Sequence, residues 1–396
     1  MGLVLVKSPV RGIFTGYTYR GTALALIAFG AAGCQERYVT NYPPEYREYA
    51  YISNGGSNTV TVLDLVNMRQ DRVIAVGANP SGLAVNPRRN EVYVVNSGSG
   101  TVSVINAETN TVAATIPVQR QPYSIDVDAE GRRAYVANSG SNNVSVLDLA
   151  LRRQIGVIGA GVAPGLARIA NDGKTLVITN RVSGSVSIAD ANLFKVRSSF
   201  DQCPGATDAI ILPDSSKAFV TCSGGHQIMV IGLAHSTGSE PAPADVLLTF
   251  LDVGKTPLQI TLKPDGGEAF VSNYDSDTIS EITTSSNEVG GAYLVGAHPV
   301  RGLVSADNSL LYVSDFSAGW VGIYSIDDGK LINSVSVGKG PDALGFSADG
   351  HLLLVLNAQS GDIAVVRTGT TPASLLTLFP AGRAPNDIVV KAFRVH

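Results

Sequence analysis

Residues 92–107 read VYVVNSGSGTVSVINA, and 42 positions later residues 134–149 read AYVANSGSNNVSVLDL. In both, apolar residues alternate with small or polar ones on either side of an Asn-Ser-Gly-Ser centre, which is a strand, a tight turn and a second strand. Units of this kind start at Ala50, Val92, Ala134, Leu176, Ala218, Ala269, Leu311 and Leu353, spaced by 42 except for one interval of 51. Their second position is large: Tyr51, Tyr93, Tyr135, Val177, Phe219, Phe270, Tyr312 and Leu354. Their eleventh is β-branched throughout: Val60, Val102, Val144, Val186, Ile228, Ile279, Val321 and Ile363. These two ladders predict a buried stripe across each hairpin.

Outward from the hairpin comes another apolar run, such as Val73 to Val76 or Val112 to Ile116, then a turn and a further run such as Gly82 to Val85 or Ser124 to Val127. The repeats have no helical period. Four short strands per repeat predict an all-β fold, a β-propeller of four-stranded antiparallel blades. The ends give the number of blades. The chain enters the repeats on a hairpin at Ala50 with no first strand before it, and leaves on Asn386 to Phe393 (NDIVVKAF), a first strand with no hairpin after it. Joined, they make one composite closing blade and remove the edges otherwise exposed there. Residues 50–394 hold eight repeats plus a nine-residue insertion within Gly232 to Ala244. Eight blades are therefore expected, or seven if the terminal pieces form a cap.

Composition agrees with this reading. Of 396 residues, 16% are charged and 44% apolar, with 42 Gly and 19 Pro, against about 25% charged in an average soluble domain. The net charge of −4 argues against a nucleic-acid partner, which needs a basic surface.

The N-terminus reads as an address. Residues 1–33 contain Lys7, Arg11 and Arg20 and no acid, and end in the apolar run Thr22 to Ala32 followed by Gly33. That is a signal peptide, too short in its apolar part to span a bilayer stably. Ala31, Ala32 and Gly33 before Cys34 resemble the lipobox of bacterial lipoproteins, although Leu is usual where Ala31 stands. The resemblance implies lipidation of Cys34, and Gln35 in place of Asp favours the outer membrane. Without residues 1–33 the chain carries 26 basic and 33 acidic residues, a net −7, so acyl chains must do the anchoring. Residues 34–49 are expected to be a tether and 50–396 a single propeller domain.

The hairpins with Tyr-Val-x-Asn, as in Tyr93-Val94-Val95-Asn96 and Tyr135-Val136-Ala137-Asn138, resemble the YVTN family of β-propeller repeat proteins over residues 50–394. A literal YVTN at Tyr38 to Asn41 is out of register with the repeats and is read as a decoy. Similar propellers include lactonases, and eight-bladed ones include haem-dependent nitrite reductases and quinoprotein dehydrogenases.

The chemistry is less legible. The fifth hairpin position is Asn54, Asn96, Asn138, Asn180, Asn273 and Asn357, with Cys222 and Asp315 as departures. An Asn repeated in six of the eight units suits the turn they share better than a ligand crown. Cys203 and Cys222 stand at neighbouring ends of two antiparallel strands, so in an exported protein a disulfide is expected, with buried free thiols as the alternative. No haem-attachment or zinc spacing occurs, and no metal or cofactor is expected. His226, His298, Arg301, Arg120, Trp320 and Asp315 fall at one end of the blades and form a candidate ligand face. Arg181, Lys339, Asp342, Arg383 and Asp387 fall at the same end.

With no nucleophile–base pair evident, the leading expectation is a non-enzymatic binding or scaffold module of the cell envelope. It would be a monomer that presents this channel-mouth face to a protein or small-molecule ligand and is held to the membrane by its lipid. The alternatives are a propeller enzyme, lactonase-like or dependent on haem or quinone, and a structural surface-layer component.

Overall fold

The hairpins are the middle pair of strands in every sheet. The computed structural model describes residues 42–234 and 244–395, and over them the chain forms eight four-stranded antiparallel sheets. Blade 1 is the composite one. Its strands, from the axis outwards, are Pro385–Arg394, Tyr46–Asn54, Thr59–Asp64 and Arg69–Ala75. Blades 2 to 8 follow at residues 80–117, 122–159, 164–200, 206–252, 257–294, 299–336 and 341–380, each running in order from its innermost strand to its outermost. The innermost strand of every blade contacts that of the next, including blade 8 with blade 1 and blade 1 with blade 2, so the ring is closed. The count is eight, and the terminal pieces form a blade, not a cap.

The closing strands are the longest among the described residues. Tyr46–Asn54 pairs with Pro385–Arg394 from Tyr46 opposite Arg394 to Asn54 opposite Pro385, where other innermost strands have six residues. Residues 46–49, read above as the end of the tether, thus belong to the sheet. Cys34 and the rest of residues 1–41 lie outside the described residues, as does 235–243, which contains most of the insertion. Asp245 fixes the C-terminal side of that insertion. Burial works against its charge, but hydrogen bonds from Arg197 (2.8 and 2.9 Å), Ser198 (2.7 Å) and the Ala234 N–H (2.7 Å) outweigh it and hold its pKa below the usual carboxylate value.

The middle strands are buried on both faces because each blade packs against two neighbours. Tyr93, Val102 and Val104 of blade 2, for example, pack with Ala134, Val136 and Leu147 of blade 3. All sixteen ladder residues are at most 3% exposed, and burying one such side chain is worth about 1.5–3 kcal/mol. Outermost strands keep one wet face, as in Arg69–Ala75.

Polar latches tie each hairpin to the connection entering its blade. The Asn96 Nδ2 donates across the hairpin to Thr101 and Ser103 (3.1 and 3.0 Å), and Asn138 reaches Asn143 and Ser145 (both 2.9 Å) in the same way. The Asn ladder therefore bonds the facing strand, not chiefly its own turn as the sequence suggested. A glycine in the connection makes room: a Cβ on Gly77 would lie 2.6 Å from the Asn96 Cγ. Turn serines complete the latch. Ser57, Ser99, Ser141, Ser183, Ser276 and Ser360 each accept a backbone N–H from the incoming connection at 2.6–3.1 Å.

Two blades are latched differently. In blade 5 Cys222 forms a disulfide with Cys203, both fully buried, with Cα atoms 4.7 Å apart. In blade 7 Asp315 takes the Asn position. Replacing Asn138 with Ala removes two hydrogen bonds across the hairpin, one of them buried, so it should cost about 1–3 kcal/mol, read from the denaturant midpoint. An unchanged midpoint would mean that the latch carries no stability.

Candidate functional site in the axial channel

The innermost strands line the channel with one unpaired edge each, and their N–H groups need partners. Side chains from the preceding blade supply some of them. Asp387 accepts the Leu83 N–H (2.9 Å), Asp126 that of Ile169 (3.0 Å), Asp208 that of Ile260 (3.2 Å), and the Gln259 Oε1 that of Gly302 (2.8 Å). These channel carboxylates stitch blade to blade.

Two guanidiniums stand among them. Arg168 approaches Asp208 (Nη2 to Oδ1, 3.7 Å), and Arg301 approaches Asp342 (Nε to Oδ1, 3.4 Å). Burial opposes the Arg301 charge, but Asp342, Asp387 and Asp208 more than offset that and raise its pKa. Burial raises the pKa of both Asp126 and Asp387, with Arg168 and Arg301 respectively pulling the other way. Among the described residues no group of three or more His, Cys, Asp and Glu could hold a metal ion.

A cavity of about 560 Å³ opens among blades 2 to 6, at the end of the innermost strands away from the hairpin turns. Asp126 and Arg168 are the charged groups in its wall, with Gln259 and Thr261 beside them and Ile210 and Leu262 among the apolar lining. Asp126 and Arg168 share one repeat position, opposite the aromatic ladder, whose other occupants are Ala84, Ile210, Thr261, Leu303, Gly345 and Val389. Charge at a position otherwise small, apolar or hydroxylated is the signal in the sequence, and it lies in the innermost strands, outside the hairpins that carry the repeat.

The residues expected to form one ligand face are dispersed over three environments. Arg301 lies in the channel. His226 and His298 lie at the hairpin-turn end, where the His226 Nδ1 accepts the Thr256 N–H (3.2 Å), the role Asn58 plays for Asn79. His298 stacks on Tyr274 with ring centroids 4.4 Å apart, its Nδ1 2.6 Å from the Ser317 Oγ. Arg120 is exposed, its backbone held by Ser141. At the same end Arg181 passes over Gly165, where a Cβ would sit 2.9 Å from its side chain, and stacks 4.0 Å above the Tyr123 ring.

Asp315 is fully buried in blade 7, while Trp320, at the start of the next strand, remains 37% exposed. The Trp320 Nε1–H donates to the Asp315 Oδ2 at 2.7 Å, and the other oxygen is buried without a partner. Burial pushes the Asp315 pKa up to about 7, helped by the nearby charge of Asp277 and opposed by the hydrogen bonds from Trp320 and Gly296. A carboxyl that holds its proton more tightly when folded makes the fold less stable as pH rises from about 4 through 7. Relative to wild type, Asp315→Asn should therefore flatten thermal stability between pH 5 and 8, removing a loss of about 2–4 kcal/mol. Parallel curves for the two proteins would sink this assignment.

A family model described as lactonase, 7-bladed β-propeller, matches residues 49–163, less than half of the chain. No curated protein matches. Among solved structures, the dihydro-heme d1 dehydrogenase NirN is similar with a TM-score of 0.69 at 16% identity, over 86% of this chain and 74% of that one. AztD from Citrobacter koseri is similar with a TM-score of 0.68 at 13% identity, over 89% of this chain and all of that one. A putative 6-phosphogluconolactonase from Bacteroides uniformis is similar with a TM-score of 0.59 at 16% identity, over 87% and 99%. Identities this low speak for the β-propeller fold alone. The expectation of a non-enzymatic binding or scaffold module is corrected on the family match: the lactonase model over residues 49–163 favours the enzyme alternative.

Proposed function

We propose that this β-propeller is a hydrolase of lactone-type cyclic esters, with its reaction site in the axial cavity. The observation that carries the reading is the cavity itself, where the carboxyl of Asp126 and the guanidinium of Arg168 share one wall. The lactonase match over residues 49–163 includes Asp126.

Ester hydrolysis needs a base for water and a cation for the oxygen that gains charge. Burial makes Asp126 a stronger base than a surface carboxylate, and Arg168 supplies the positive charge. Water attacks the ring carbonyl carbon and yields a proton to Asp126. The bond from that carbon to the ring oxygen breaks, and the leaving alkoxide takes the proton back, giving a hydroxy acid. Among the described residues no histidine lines the cavity, so a haem-dependent reading finds no imidazole ligand there.

The Tyr-Val-x-Asn hairpins support placing the protein with YVTN-type repeats. The basic, apolar and small-residue order before Cys34 supports an exported lipoprotein that works at the cell envelope.

Acid release from a panel of five- and six-membered lactones, followed by pH-stat titration, tests the reaction. Wild type should exceed the uncatalysed rate, and Asp126→Asn and Arg168→Gln should each lower kcat/KM by about 100-fold or more while melting within a few degrees of wild type. No turnover of any lactone, or full activity in both variants, would remove the proposal.

A further inference from the structure

We infer that the end of the propeller away from the hairpin turns docks on an anionic lipid bilayer through blades 3 and 4. This is independent of the proposed hydrolysis. It starts from one repeat position, the third residue of the turn joining the third and fourth strands. In the blades where that turn has four residues the position holds Asn67, Thr109, Leu151, Leu193, Ser286 and Asp328. Blades 3 and 4 alone among these place a large apolar side chain there, and both are bare: Leu151 is 58% and Leu193 75% exposed. Neither is loosely held. Asp148 accepts the Leu151 N–H at 2.8 Å, and Asp190 accepts that of Leu193 at 2.9 Å. The two blades are also joined here, since Arg133 donates to the Ala191 carbonyl (3.3 Å) and the Asn192 Oδ1 (3.1 Å) and lies over the Phe194 ring.

An exposed leucine alone needs no explanation; the charge around this pair does. Arg132, Arg153, Lys174 and Lys195 are exposed at the same end of these two blades, and none of them forms an ion pair among the described residues. Glu130, the exposed acid there, is matched by Arg88 at 3.7 Å. Asp128, Asp148, Asp172 and Asp190 accept backbone N–H groups and are not exposed. Blades 6 and 7 reverse the sign, with Asp265, Glu288, Asp307, Asp327 and Asp328 exposed at this end against Lys330. A chain of net charge −4 thus gathers unpaired positive charge around its two bare leucines. Aliphatic tips reach the acyl boundary while the cations meet phosphate headgroups, the pairing that a peripheral membrane contact uses. A nucleic acid would engage the cations and leave the leucines idle.

The course of the chain agrees. Tyr42 donates to Asp349 at 2.5 Å, in a turn at this same end of blade 8. Cys34 stands eight residues earlier, at most about 28 Å of extended chain, so the lipid proposed for it would hold this end near a bilayer. The cavity opens at this end too, and docking brings its mouth toward the headgroups.

The test is vesicle flotation of residues 35–396, which hold every strand of the closed ring and carry no acyl chain. Binding to phosphatidylcholine vesicles with about 30% phosphatidylglycerol should exceed binding to pure phosphatidylcholine by about ten-fold and fall in about 0.5 M salt. Leu151→Ser with Leu193→Ser, and separately Arg153→Ala with Lys195→Ala, should each weaken it by about ten-fold or more with unchanged melting. Asp327→Asn with Asp328→Asn should not weaken it. An environment-sensitive dye on Leu193→Cys should shift to the blue on binding, and one on Asp328→Cys should not. Equal binding to both vesicle types, full binding by either weakened pair, or the opposite dye response overturns the inference. So does a salt-sensitive dimer that ignores vesicles, which would assign the basic sector to the acidic blades of a second copy.

Discussion

Everything in this protein hangs on one antiparallel pairing, between Tyr46–Asn54 near the start of the chain and Pro385–Arg394 at its end. A ring of sheets has no free edges between blades only if its first and last pieces meet, and here they meet inside one sheet. Every other blade is contiguous in sequence and could form its own hydrogen bonds locally. Blade 1 cannot, and its two closing strands are longer than their counterparts elsewhere. Aromatic contact reinforces the join, with Tyr49 6.2 Å from Phe393. Closure also shapes the channel, because it forces eight innermost strands to face one axis and leaves their inner edges to be satisfied by side chains.

That constraint explains where the scarce charges go. Asp126, Asp208 and Asp387 accept N–H groups from the next blade, so their first task is structural. Carboxylates gathered in this way draw in Arg168 and Arg301, and the result is a charged band along the channel. A site built from stitching residues is rigid from the outset, since moving a carboxylate breaks an inter-blade bond. Preorganisation of this kind is what reaction centres need.

The latches follow the opposite logic, with the same geometry met by different chemistry. Six blades use an Asn amide, blade 5 a disulfide and blade 7 a carboxyl facing an indole. In blade 7 the donor and acceptor are exchanged: Trp320 donates to Asp315 where Asn96 donates to Thr101. Asp315 and Trp320 thus change together because they are bonded.

The sequence by itself determined the four-stranded repeat, its strand order and both buried ladders, because each is a property of period and spacing along the chain; the structure decided for eight blades over seven and for the disulfide over free thiols. Even the low charge was informative, since strands buried on both faces leave little room for it. What only the tertiary structure decided is which residues of different blades meet. Asp126, Arg168 and Asp208 are each 40 or so residues apart and become neighbours solely because the ring turns successive innermost strands toward a common axis. His226, Arg301 and Asp315 look equivalent at the ends of their strands, yet one caps a turn, one stands in the channel and one is sealed inside a blade. Side-chain direction relative to that axis separates them, and no one-dimensional repeat carries it.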